Sequence, residues 1–298
     1  MKQAVLLLAH GAPERLEEVE EYLAQVRSGR PLAPHLVEEI KQRYAAIGGG
    51  SPLTARTDEQ ARALERRLRD TGCPAQVYVG MRNWRPTIRE AMSRMRGDGV
   101  ERIVALCLAP QYSKLSVGLY FRRTQEAKVE LGMQAEVAWT KSFHVHPLLI
   151  EAFHERLAPL VPRERVLFTA HSLPEKILES GDAYAAETQA TARAVAERAG
   201  LSQWDFAYQS QGLTDDRWLG PTVESTLDRY AAEGVDEAVL DPIGFVSDHI
   251  EILYDVDILF RGYAAQRGIR LVRPESLNDT PTFIAALAAV AREKLEAA

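Results

Sequence analysis

Eight short apolar runs punctuate the chain: Gln3–Ala9, Gln76–Val79, Arg102–Leu108, Glu136–Trp139, Val166–Ala170, Asp205–Gln209, Glu237–Leu240 and Arg270–Val272. Several are apolar at consecutive rather than alternate positions, the pattern of strands buried on both faces. Helical patterns fill the intervals. Ser51-Pro52 opens one cleanly, with Ser as cap and Pro in the first turn, and it runs to about Arg69. Pro86 and Pro221 mark further helix starts, and Thr280-Pro281 begins the last helix. Strands alternating with helices imply βαβ units and parallel sheets. The predicted fold class is α/β, with two doubly wound halves, each a four-stranded parallel sheet flanked by helices. Residues 1–145 form the first half and 146–278 the second, with the C-terminal helix, 279–298, packing back on the first.

The first and fifth runs end alike. Val5–Glu14 reads VLLLAHGAPE and Val166–Glu175 reads VLFTAHSLPE, identical at six of ten positions. Each delivers a histidine, His10 or His171, to the C-terminal end of a buried strand, where open α/β sheets place their ligands. If both halves use this device, the two histidines face one cleft. Imidazole suits metal binding or proton transfer near neutral pH.

Composition narrows the possibilities. A net charge of −6 argues against nucleic acid, which demands a basic footprint. No apolar run approaches the ~20 residues of a spanning helix, and Met-Lys-Gln leads straight into a strand without a signal-peptide cleavage pattern. A cytoplasmic protein is expected. Cys73 and Cys107 are scattered, so neither a structural disulfide nor a zinc or iron–sulfur framework is predicted.

A second informative stretch runs from Asp241 to Asp257. A strand ends, a loop follows, and a helix is predicted to begin near Asp248. Glu251, Tyr254 and Asp255 then share one helical face. Helix-cap and dipole roles account well for Asp248 but poorly for Asp255 and Asp257, which lie beyond a first turn. Carboxylates aligned beside a histidine could pass a divalent cation inward. His249 is placed to hydrogen-bond a site carboxylate. Arg27, Arg30, Arg43 and Arg82 are the candidate anion patch of the first half, although charged helix faces are usually just solvated. His144 and His146 read as a strand-to-helix connection rather than a metal site, and His35 and His154 have no special claim. Gly48-Gly49-Gly50 lacks the Lys-Ser/Thr of a phosphate loop and does not follow a strand, so nucleotide binding is rejected. These glycines instead admit a flat ligand or make a tight entry to the helix.

Six segments carry a resemblance to a known family: RYAAIGGGSPL (Arg43–Leu53), VGMRNWRPTI (Val79–Ile88), LAPQYSKLSVGLYFRR (Leu108–Arg123), TAHSLPEKI (Thr169–Ile177), YQSQGLTDDRWLGP (Tyr208–Pro221) and PIGFVSDHIEILYD (Pro242–Asp255). In this order the chain resembles ferrochelatases over essentially its whole length, and especially the soluble coproporphyrin III enzyme of Gram-positive type bacteria. The resemblance implies two Rossmann-like halves in a chelatase-like fold, with a porphyrin cleft between them. It implies porphyrin and Fe²⁺ as substrates, no tightly bound cofactor and no iron–sulfur cluster. Partners would be limited to transient contact with neighbouring haem-pathway enzymes, with no integral membrane segment. His171 matches the catalytic histidine, and Glu251 the catalytic and metal-binding glutamate. Arg27, Arg43, Tyr44, Ser51 and Tyr120 match porphyrin-holding positions, and Trp84 is assigned with Tyr120 to grip the ring. Metal contacts fall to His10, His171 and Glu251, with Asp255 a secondary candidate.

Two positions depart from the pattern. His10 stands where the coproporphyrin enzymes usually carry a metal-contacting tyrosine, and an Ala-His-Gly turn is also similar to that of sirohydrochlorin chelatases. Leu259 stands where the acidic ladder often continues. The expected reaction is insertion of ferrous iron into coproporphyrin III to give coproheme. The alternatives are a protoporphyrin IX ferrochelatase, a cobalt or sirohydrochlorin chelatase, and a non-catalytic haem-binding protein, which would leave His171 and Glu251 unused.

Overall fold

The computed structural model describes residues 1–161, 165–212 and 216–297. Leu213, Thr214 and Asp215 of the Tyr208–Pro221 motif, and Ala298 of the C-terminal helix, lie outside the described residues. The chain divides into two compact units. The first comprises Met1–Phe143, Ser247–His249 and Asn278–Ala298, and the second His144–Val246 and Ile250–Leu277. Ser247–His249 thus groups with the first unit although it lies deep in the second half of the sequence.

The first unit is built in chain order from β1 (Gln3–Ala9), α1 (Val19–Val26), α2 (Pro34–Ala46), α3 (Leu53–Asp70), β2 (Gln76–Met81), α4 (Ile88–Gly97), β3 (Arg102–Cys107), α5 (Val117–Glu130) and β4 (Glu136–Thr140). The second unit contains α6 (Pro147–Leu157), β5 (Arg165–His171), α7 (Lys176–Glu179), α8 (Tyr184–Arg198), β6 (Trp204–Gln209), α9 (Val223–Ala232), β7 (Glu237–Asp241), α10 (Ile250–Leu253), α11 (Arg261–Ala265) and β8 (Arg270–Val272). A last helix, α12 (Pro281–Glu296), packs within the first unit on α3 and the β3–β4 side of the sheet. There the buried Arg102 donates to the Lys294 carbonyl at 2.8 Å.

Among the described residues, the strands form two four-stranded parallel sheets, ordered β2-β1-β3-β4 and β6-β5-β7-β8. The run-on apolar sequences become the central strands: Ala4–Ala9 and Arg102–Cys107 are buried throughout. In both sheets the first strand lies between its next two strands in sequence. Its C-terminal end is therefore the topological switch point, where ligands bind in open sheets. β1 leads into His10, and β5 ends on His171.

Several predicted boundaries shift for local reasons. Helix α3 begins at Leu53 with Pro52 as its cap, while Ser51 Oγ accepts from the Leu53 amide at 3.3 Å, one residue earlier than a capping serine would sit. Pro86 and Pro221 precede their helices rather than starting them. Thr87 caps α4 through a reciprocal capping box with Glu90, and Thr222 caps α9 by accepting from Ser225 N. The helix predicted from Asp248 begins at Ile250, because Asp248 is engaged by Asn278: the Asn278 side chain donates to its carboxylate at 2.9 Å and accepts from its amide at 3.0 Å. After α10 the chain widens into a π-helical turn over Asp255–Phe260. The glycine run also finds its use. A Cβ on Gly50 would lie 2.0 Å from the Glu14 carbonyl oxygen, so the close approach is to the protein's own backbone and not to a ligand.

Among the buried side-chain atoms of the described residues that lack a hydrogen-bond partner, one belongs to a carboxylate. Asp241, at the end of β7, is 2% exposed and its Oδ2 has no hydrogen-bond partner. Burial alone pushes its carboxyl up to about 8. An unfolded aspartate titrates near ~3.9, so the fold binds this proton more tightly. The contribution is full below about pH 4 and is lost as pH rises towards 8. Asp241→Asn, measured by urea unfolding across this range, is expected to gain stability relative to the parent as pH rises, by up to about 1.4 kcal/mol per pH unit. Parallel stability curves would show that Asp241 is solvated or paired.

Candidate active site

In the second unit, His171 and Glu251 form a close pair, with Nε2 to Oε1 at 3.6 Å and each side chain about a third exposed. His171 Nδ1 is hydrogen-bonded to the carbonyl of Ser172. A carbonyl only accepts, so Nδ1 carries a proton, and Nε2 is the ring nitrogen that faces Glu251. The backbone around this histidine is held firmly. Tyr184 donates to the His171 carbonyl at 2.8 Å, the Ser172 amide donates to the Gln209 carbonyl at 2.7 Å, and Ser172 Oγ donates to the Leu219 carbonyl at 2.8 Å. Gly244 permits the next loop to close over β5, since a Cβ there would lie 2.7 Å from Ala170 Cα.

Glu251 sits in α10. Its backbone carbonyl accepts from Gln209 Nε2 at 3.0 Å, and Gln209 Oε1 in turn accepts from Thr169 Oγ1 at 2.6 Å. Ser210 Oγ donates to Asp255, so that carboxylate meets a hydroxyl. Asp257 belongs to an ion-pair cluster, contacted by Arg273 at 2.7 and 2.9 Å and by Arg261 at 3.0 Å. Ion pairing thus accounts for Asp257, for which the sequence offered no structural role. Among the described residues, no group of three or more His, Cys, Asp or Glu side chains could hold a metal ion. His171, Glu251 and Asp255 are therefore not a ready-made cage.

In the first unit, His10 meets the turn after β2. Arg82 Nη2 is 3.1 Å from His10 Nδ1, and the Asn83 amide is 3.1 Å from Nε2. Guanidinium can only donate, so Nδ1 accepts from Arg82, while the Asn83 atom set against Nε2 is its amide nitrogen. The two histidines of the repeated Ala-His turn thus meet different groups at Nδ1, a guanidinium at His10 and a carbonyl at His171. The Arg82 guanidinium also lies over the Tyr120 ring, 4.7 Å from its centroid. Tyr22 packs edge-on to both His10 and Trp84.

The other predicted residues are spread through the first unit. Trp84, Tyr120, Tyr44 and Ser51 are all buried. Arg43 is paired with Glu39 at 2.6 Å on the exposed face of α2, and Arg27 Nε donates to the Arg30 carbonyl at 3.3 Å. His249 Nδ1 faces the Ser247 carbonyl at 2.9 Å. His146 accepts from the Leu148 amide as the cap of α6, while His144 lies 3.4 Å from Glu187. The sequence reading gave no role to Gln209, Ser210, Asn83 or Tyr22. The signal available for the first two was a polar Gln-Ser-Gln run placed directly at the end of an apolar strand.

A ferrochelatase family model matches residues 2–295. The chain belongs to the ferrochelatase family, enzymes of the metal-chelating lyase class. It is 44% identical to the ferrochelatase of Acidobacterium capsulatum, over 99% of this chain and 95% of that protein. It is 41% identical to that of Deinococcus radiodurans, over 97% and 95% respectively. The coproporphyrin III ferrochelatase of Halalkalibacterium halodurans is 37% identical over 99% of this chain and 97% of its own length. The fold is similar to that of the sirohydrochlorin chelatase SirB of Bacillus subtilis, with a TM-score of 0.63 at 13% identity, covering 99% of this chain and 96% of that one. Among the described residues, no helix is long and apolar enough to cross a membrane.

The meeting of His10 with Arg82 and Asn83 depends on Gly11. It adopts φ +83°, and a Cβ there would lie 2.6 Å from Trp84 Cβ and 2.8 Å from Trp84 N. Gly11→Ala is expected to destabilise the protein by about 1–3 kcal/mol, read as a melting point lower by roughly 2–4 °C for each kcal/mol. An unchanged melting point would mean that the two turns do not need this close approach.

Proposed function

We propose that this ferrochelatase inserts Fe²⁺ into coproporphyrin III, with His171 as the proton acceptor and Glu251 as its partner. The observation that carries the reading is the placement of His171, whose Nδ1 is committed to the Ser172 carbonyl and whose Nε2 faces the Glu251 carboxylate 3.6 Å away. Metallation removes two pyrrole protons and seats a divalent ion among four nitrogens. A general base within hydrogen-bond reach of the proton is the minimum requirement. His171 Nε2 takes a proton, Glu251 stabilises the resulting imidazolium, and transfer to the carboxylate frees Nε2 for the second. Iron enters as a substrate and leaves in the product, which is consistent with carboxylates that are not assembled as a cage. Asp255, one turn beyond Glu251, is the secondary contact for the arriving ion.

A planar porphyrin hides its nitrogen lone pairs in the ring plane. Binding contacts away from the reacting nitrogens can drive distortion that exposes them. We assign these contacts to Arg27, Arg43, Tyr44, Ser51, Trp84 and Tyr120. Arg43 is suited to a propionate, because its present partner Glu39 is about half exposed and such a pair contributes little. Exchange for a substrate carboxylate then gives a charge-assisted bond at small loss. His10 is assigned as a further metal contact through Nε2, since Nδ1 is taken by Arg82. The choice of a tetracarboxylate porphyrin is supported by the match to the coproporphyrin III segments and by relatives of that name. A cytoplasmic enzyme with transient contact to neighbouring haem-pathway enzymes fits the same reading.

An anaerobic assay of Fe²⁺ with coproporphyrin III, protoporphyrin IX and sirohydrochlorin tests the substrate directly. The highest kcat/KM is expected for coproporphyrin III, and preference for another ring would overturn the assignment. His171→Ala should lower turnover by at least about 100-fold while porphyrin binding, followed by absorbance, persists. Full turnover in that variant would remove His171 from the mechanism. Arg43→Ala should weaken binding of coproporphyrin III more than that of protoporphyrin IX, and equal weakening would take Arg43 away from the additional propionates.

A further inference from the structure

We infer that Gln209, with its neighbour Ser210, is the positioning residue that sets the His171–Glu251 pair. The inference rests on the reaction proposed for that pair. Gln209 is directly opposite His171 in the parallel register of β5 and β6, and its backbone carbonyl accepts from the residue after that histidine at 2.7 Å. Its side chain is 2% exposed and reaches the other way. Oε1 accepts from Thr169 Oγ1 at 2.6 Å, which orients the amide so that Nε2 donates to the Glu251 carbonyl at 3.0 Å. One residue thus holds the strand end that carries the base and the first turn of the helix that carries the carboxylate. Neither contact involves the reacting side-chain atoms, so Gln209 acts through their placement.

Ser210 completes the arrangement at a conformational cost. It has φ +57°, a left-handed backbone that serine rarely adopts. Its Oγ donates to Asp255 and accepts from Gln209 Nε2 at 3.3 Å. A residue serving only stability would relax to glycine here with benefit. Retaining the hydroxyl in a strained backbone points to the carboxylate it meets, since strain of this kind persists where a site over-determines it.

The experiment uses the full chain with Fe²⁺ and coproporphyrin III under anaerobic conditions, reading kcat, porphyrin KM and melting temperature. Parent turnover tests the underlying reaction, and the variants relative to the parent test the positioning role. Gln209→Leu should lower kcat by about 10- to 100-fold, the loss that a displacement of the reacting groups by about 1 Å produces, with porphyrin KM within twofold. Gln209→Glu keeps an acceptor for Thr169 but presents oxygen to the Glu251 carbonyl, and should be equally impaired. Ser210→Gly separates the two roles. The melting temperature should hold or rise while kcat falls severalfold. A kcat unchanged in Ser210→Gly and in a folded Gln209→Leu or Gln209→Glu would overturn the inference, as would losses that track melting temperature across all three variants. If Gln209→Leu does not fold, Ser210→Gly and Gln209→Glu decide it.

Discussion

The chemistry available to the second unit depends on where one proton sits. The Ser172 carbonyl holds it on Nδ1 of His171 and leaves Nε2 as the only basic nitrogen of the ring. That bond forms because β5 ends at the histidine, so the next carbonyl is free of the sheet ladder. The Ser172 amide is taken by Gln209 and its hydroxyl by the Leu219 carbonyl, which prevents the peptide from turning away. Were the tautomer reversed, Nε2–H would point at Glu251 and the imidazole could receive no proton on that side. The pairing with Glu251 takes hold when Nε2 is protonated, because a carboxylate then faces an imidazolium.

The duplicated Ala-His turn shows how one topology supplies two different groups. In each sheet the first strand lies between its next two strands in sequence, so its end is the switch point. The fold thus guarantees the position of a histidine but not its protonation. At the second turn a carbonyl faces Nδ1, and at the first a guanidinium does. The two imidazoles therefore meet opposite partners at Nδ1, and the likeness of the two decapeptides does not extend to equivalent surroundings.

The strands were legible because burial on both faces leaves an unbroken apolar run, and each predicted strand lies within two residues of its observed limits at either end. Helix starts were less legible. Pro86 and Pro221 drew attention from the threonines that follow them, although Thr87 with Glu90 spells a capping box. The grouping of Ser247–His249 with the first unit could not be read from the chain, because it rests on contacts between residues far apart in sequence. Gln60 donates to Ser247 Oγ at 2.9 Å and to the Asn278 carbonyl at 2.8 Å. His171 and Glu251 were placed by motif, but their separation and the tautomer belong to tertiary structure. The π-helical turn was invisible because its sequence satisfies an ordinary helical period.

That turn also explains how a run of carboxylates can be divided among different tasks. Glu251 faces His171, Asp255 meets Ser210, and Asp257 is neutralised by Arg261 and Arg273. Three free carboxylates this close would repel one another and would hold a divalent ion strongly. Committing Asp257 to two guanidiniums and placing Leu259 one turn past Asp255 removes the outer negative charge. On the proposed reading, what remains near His171 is the smaller acidic set of Glu251 and Asp255, which Fe²⁺ meets as a substrate. On that reading, the ion-pair cluster keeps the Asp257 carboxylate from adding to this set.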